Sequence, residues 1–223
     1  MSYYVQPLTG LASTVKWTNI PWGLTIYRTT YTPFSEEHFP QTIELIHTLL
    51  KANLDEWKDC HNDGPEQRAA KKTLLENYQP IVINDKGQFD GMALPDIRAH
   101  YATYLNTPEG ERPYTNESMF VVIDDEGLAI LAGTDATKLL ASDDSVRDAR
   151  RYWVRAVDSK LEYEGDEEDE DEEEEDDDDD DDEGWIKCSV YRLWSLWVDM
   201  DGSRPITAWR AWGAMDPNGP YCG

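Results

Sequence analysis

The sequence predicts an α+β fold: a mostly antiparallel sheet with helices packed on one face, and a long disordered acidic insertion between two strands. Three observations predict it. Short runs rich in β-branched and aromatic residues recur at 22–31, 119–123, 152–157 and 185–190. Between the first two runs, apolar residues fall at helical spacing. An unbroken stretch of 18 acidic residues, 166–183, separates the last two runs. Elements in the order β, α, α, β, α, β, β, β do not alternate regularly, which argues for an α+β sandwich rather than a doubly wound sheet.

Residues 1–20 are polar and carry Pro7 and Gly10, so they read as an irregular arm. The run 22–31 is the first strand, stopped by Pro33, which cannot donate to a ladder. Ser35 is the expected N-cap of the next helix, with Glu36 and Glu37 at the positive end of its dipole and Pro40 in its first turn. Its apolar stripe is Phe39, Ile43, Ile46, Leu50, Leu54 and Trp57, and it ends at the turn formers 60–65.

A second helix is expected over 66–77, then a short edge strand over 80–84 and a turn at 85–87. A third helix starts with Pro95 at its first position and turns Ile97, Tyr101 and Tyr104 inward. Residues 119–123 form the clearest buried strand. The turn 124–127 leads into 128–132, which fits a returning strand or a short helix. Strands over 152–157 and 185–190 should pair as a hairpin around the acidic run, and 192–200 continues as strand or bends into a helix.

These elements define a single α+β domain over 21–160 and 184–215, with 161–183 as the disordered acidic insertion and 216–223 as a tail. The formal net charge is −26, yet without the run 28 acids face 20 Lys and Arg, the balance of a mildly acidic globular domain. Nine Trp and twelve Tyr supply bulky apolar area for a core. The chain shows no basic patch able to displace counterions from a phosphate backbone, so no nucleic-acid partner is expected. It has no apolar stretch of spanning length and no leader-like start, so no membrane is expected and the location is cytoplasmic or nuclear.

Motifs that carry chemistry are missing. Cys60, Cys188 and Cys222 form neither a CxxC pair nor a disulfide framework. His38 and His47 lie nine residues apart and point to opposite sides of one helix. Cys188 shares a strand face with Ile186 and reads as core. There is no HExxH, GxSxG, P-loop or GxGxxG, and the oxygen-rich Asp199-Met-Asp201-Gly lacks the spaced ligands of a calcium loop. No catalytic, cofactor-binding or metal-binding residue is assigned.

Three blocks carry a resemblance: Trp22-Gly-Leu-Thr-Ile-Tyr-Arg-Thr-Thr-Tyr31, Met119-Phe-Val-Val-Ile-Asp124, and the 152–158 strand rejoined by Glu183-Gly-Trp-Ile-Lys-Cys-Ser-Val190. This layout resembles a group of uncharacterised intracellular proteins of filamentous ascomycete fungi, with a WGxxIYRxxY-like start and an EGWxKV-like strand. Cys188 stands where that group more usually has valine. The resemblance implies one α+β domain and carries over no catalytic residue.

Two functions compete. The first is non-enzymatic binding, with the acidic run as a docking arm for a basic protein, giving fast, salt-sensitive association. The second is a small-molecule-binding or metabolite-transforming domain, with a pocket lined by Trp185, Trp194 and Trp197 and a ligand oriented by Arg28, Arg155 or Tyr191.

Overall fold

The computed structural model describes residues 7–56, 64–108, 112–141, 151–160, 184–200 and 206. Five strands form one sheet: β1 (Thr25–Arg28), β2 (Ile81–Ile83), β3 (Met119–Ile123), β4 (Trp153–Asp158) and β5 (Trp185–Ser189), in the order β2-β1-β3-β4-β5. The sheet is mixed. β1 runs parallel to both β2 and β3, whereas β3–β4 and β4–β5 are antiparallel and hold nine residue pairs against six. β4 and β5 pair as the expected hairpin, with Val157 opposite Trp185, and the Asp158 amide donates to the Gly184 carbonyl at 2.9 Å. The acidic insertion they flank lies outside the described residues.

The amino-terminal arm is instead a helix, α1 (Pro7–Thr18). Its buried residues Leu8, Leu11, Ala12 and Val15 follow helical spacing. Pro7 suits a first helical position, and packing outweighs the roughly 1 kcal/mol cost of Gly10 inside a helix. α2 (Pro33–Glu56) starts earlier than the sequence suggested. Thr32 caps it, since its hydroxyl accepts the Ser35 amide at 3.2 Å and its carbonyl accepts the Glu36 amide at 2.9 Å. Ser35 is therefore an internal, buried residue, and Pro40 sits beyond the first turn, one turn after Glu36, where both are exposed. The stripe Phe39, Ile46, Leu50 and Leu54 is buried as expected, while Trp57 lies outside the described residues.

α3 (Pro65–Asn77) follows, and β2 is indeed an edge strand. The expected turn at 85–87 tightens into a four-residue helix, α4 (Lys86–Phe89), capped by Asp85. α5 (Leu94–Leu105) buries Ile97 and Tyr101. The ambiguous segment after β3 is helical: α6 (Asp125–Leu131), followed by α7 (Ala136–Ala141). After β5 a 3-10 turn (Val190–Arg192) bends into α8 (Leu193–Asp199). No helix among the described residues is long and apolar enough to cross a membrane.

Helices cover both faces of the sheet, not one. Ile26, Val121, Ile123, Val154, Ala156 and Ile186 face a large core shared with α1, α2, α3, α6 and α8. Tyr27, Phe120, Val122 and Val157 face a second, smaller core with Phe89, Ile97 and Tyr101 of α4 and α5. The parallel pairs explain this. The chain leaves β1 for β2 on one side, then crosses back over β1 to reach β3 on the other. Right-handed crossovers in opposite directions put their helices on opposite faces. β3 is thus enclosed on both sides, which accounts for its unbroken apolar run and its five buried residues.

Candidate functional site

The reversal of the chain about β1 leaves an open crevice beyond the carboxyl ends of β1 and β3, with a volume of about 770 Å³. In open sheets with parallel strands such reversal points are where ligands bind, because the flanking loops part to opposite faces there. Thr29 follows β1, Val122 closes the floor from β3, and Asp124, Asp125 and Glu126 form one rim. The opposite wall is the segment from Gly91 to Pro95, with Arg98 of α5 behind it and Arg155 of β4 at the side.

Local chemistry holds each wall in place. The Gly91 amide donates to the Thr29 carbonyl at 3.0 Å, tying the α4–α5 loop to the end of β1. Gly91 does so at φ +69°, a left-handed conformation that side-chain-bearing residues avoid. Pro95 in the first turn of α5 starts that helix without a side-chain cap, so its backbone begins directly at the crevice wall. Asp124 caps α6, its Oδ1 accepting the Gly127 amide at 2.8 Å.

The rim is a charged network with unequal parts. Asp124 Oδ2 lies 2.7 Å from Arg155 Nε, in an ion contact too poorly aligned for a hydrogen bond. Glu126 lies 3.7 Å from Arg155 and 3.8 Å from Lys187. The Arg155 guanidinium stacks 4.4 Å over the Trp185 ring, and Lys187 sits 4.3 Å over Trp153. Asp125 accepts the hydroxyl proton of the buried Thr30. Arg98 is 7% exposed and donates to the carbonyls of Asp158 at 2.9 Å and Gly184 at 3.1 Å. The crevice therefore offers carboxylates and guanidinium groups around an apolar wall of Met92, Ala93, Leu94, Pro95 and Val122.

The six residues singled out from sequence do not converge. Trp194 and Trp197 stack on each other at 5.6 Å and meet Trp22 edge-on at 5.3 and 5.5 Å, deep in the larger core. Trp185 packs on the opposite face of the sheet. Tyr191 donates its hydroxyl to Glu56, and burial together with that bond pushes its phenol up to about 12. Arg28 is enclosed between the rings of Tyr31 and Phe39. Of the six, Arg155 lines the crevice. The tryptophans separate because consecutive turns of α8 bury both Trp194 and Trp197 against α2 and Trp22, leaving no ring to line a wall.

The histidines stand apart from the crevice as well. His100 Nδ1 bonds the Tyr27 hydroxyl at 2.9 Å, and burial holds its pKa below the usual histidine range. His47 meets Tyr78 edge-on at 5.1 Å and is lowered by burial and then by Lys51. His38 packs on Phe34, and His61, Cys60 and Cys222 lie outside the described residues. Cys188 is buried among the core residues it was expected to join.

Sequence reasoning read Asp124-Asp-Glu-Gly127 as a plain turn and Gly91 to Pro95 as a helix lead-in. A signal was present: three carboxylates directly follow the strand that is buried on both faces. Recognising it required knowing that β3 pairs in parallel with β1. Comparison with protein-family models, curated proteins and solved structures returns no match, so the site stands on its own geometry.

Proposed function

We propose that this domain binds a small organic molecule in the crevice beyond β1 and β3. The observation that carries the reading is the position of the crevice at the point where the two crossovers from β1 part to opposite faces. Its volume of about 770 Å³ suits a compact ligand. The described lining holds no His, Cys, Ser or Lys, which favours recognition by charge and apolar contact over covalent chemistry. A fragment screen by thermal shift tests it, since a ligand of the native state raises apparent stability by about RT ln(1 + [L]/Kd). Ala93→Trp, a change at an exposed wall position, should remove the shifts. Fragments that stabilise this variant and the parent equally would place binding elsewhere.

A second role rests on the charge of residues 166–183. Eighteen consecutive carboxylates suit them to docking a basic protein partner, with binding that weakens steeply as salt rises. Replacing the run by a short Gly/Ser loop and repeating a pull-down checks this. Recovery of the same partners by the trimmed protein would end the docking role.

A further inference from the structure

Resting on the crevice reading above, we infer that the ligand carries a cationic amine on a compact apolar body, and that Asp125 receives the amine. The three rim carboxylates are not equivalent. Asp124 and Glu126 are opposed by Arg155, and Glu126 also by Lys187. Among the described residues, Asp125 has no cationic partner: its carboxylate takes only the Thr30 hydroxyl. Thr30 is 3% exposed, so that hydroxyl fixes the carboxylate from beneath while the rest of the group stays at the crevice rim. A fixed, unopposed carboxylate beside an apolar wall is a receptor for an ammonium group whose substituent lies along Met92, Leu94 and Val122.

Anionic ligands fit the same space poorly. They would approach three carboxylates in a chain whose net charge of −26 repels anions at range. The uncapped start of α5 carries only about half a unit of positive charge, too little to reverse that field. The two arginines do not reverse it either, because Arg155 is held by Asp124 and Glu126, and Arg98 directs its protons to backbone carbonyls on its far side.

The test uses three probes with one apolar body, 2-phenylethylamine, 2-phenylethanol and 3-phenylpropionate, titrated into the ¹⁵N-labelled full chain and followed by amide shifts. The amine should move the Thr29 and Gly91 amides and bind about 5–10-fold more tightly than the alcohol, as a charge-assisted contact at a half-open rim allows. The carboxylate should not bind. Asp125→Asn should bring the amine down to the affinity of the alcohol while leaving the alcohol unchanged, and Asp125→Ala should do the same. Equal binding of amine and alcohol, blocked by Ala93→Trp, would overturn the amine inference and leave the crevice reading standing. Amine binding that survives Ala93→Trp would overturn both. Tighter binding of the carboxylate would overturn the charge assignment alone.

Discussion

Gly23 lies so close to the backbone of Gln79 that a Cβ added to it would stand 1.9 Å from the Gln79 carbonyl oxygen. The contact comes from the strand lead-ins: the Gln79 amide donates to the Trp22 carbonyl at 2.8 Å, and the Gly23 amide donates to the Tyr114 carbonyl at 2.8 Å. Neighbours on both sides hold the segment, so neither backbone can retreat without breaking a bond. Gly23→Ala should therefore destabilise by about 3 kcal/mol or more, the range of strain that a packed backbone cannot relax. Urea unfolding measures it, and a loss below about 1 kcal/mol would mean that the loop before β2 yields freely.

Trp22 anchors the larger core from the adjacent position. It is fully buried, donates its indole N–H to the Leu74 carbonyl at 2.8 Å, and meets Tyr78, Trp194 and Trp197 with ring centroids 5.0 to 5.5 Å apart. Trp22→Phe keeps an aromatic ring but removes the donor and leaves a void. The expected cost is about 2–4 kcal/mol, combining a lost buried hydrogen bond with a cavity. Near-UV circular dichroism should lose intensity at the same time, because the tryptophan cluster is asymmetric and rigid. An unchanged spectrum would contradict this packing.

Arg28 and Glu36 form an ion pair whose two members should respond very differently. Arg28 is 4% exposed, donates to the Thr30 carbonyl and the Ser35 hydroxyl at 2.8 Å, and stacks 4.3 Å from Tyr31 and 4.6 Å from Phe39. Its partner Glu36, at 2.9 Å, has a side chain that is 59% exposed. Arg28→Lys loses the planar fork and leaves buried acceptors unpaired, for an expected loss of about 2–3 kcal/mol. Glu36→Gln should stay within about 1 kcal/mol. Equal losses would show that the charge pair, rather than the buried hydrogen bonds, holds β1 to the start of α2.

Histidine burial gives the stability a pH dependence with a defined sign. His47 and His100 both have folded-state pKa values below the ordinary 6.5. Between the folded and unfolded values the unfolded chain binds more protons, so stability falls as pH drops below about 6.5 and is independent of these groups above it. A His47→Gln, His100→Gln double variant should lose less stability than the parent between pH 7.5 and 5.5. Urea midpoints at the two values decide it, and parallel losses would remove these histidines as the cause.

Much of the local structure was legible from residue pattern. The stripe of α2, the continuous apolar run of β3 and the β4–β5 pairing around the acidic run could each be read from neighbours in sequence, because period and turn chemistry are local. α1 was misread because Pro7 and Gly10 looked like breakers, although Leu8, Leu11, Ala12 and Val15 carried the helical period beneath them. Ser35 was taken for a cap on residue type alone. Thr32 caps the helix instead because Arg28, arriving from β1, draws the Ser35 hydroxyl inward.

The sequence by itself determined which segments are helix or strand, where most of them stop, and that the body is a mildly acidic domain carrying a dense run of charge. Only the tertiary structure decided that β1 pairs in parallel on both sides, that helices cover both faces, and that the tryptophans of α8 fill a core. It also decided that Thr29, Gly91, Asp125 and Arg155, scattered over more than a hundred residues, surround one crevice. The physical reason is that periodicity records which face of an element is apolar, whereas strand order and crossover direction depend on contacts between distant segments, which no local pattern encodes.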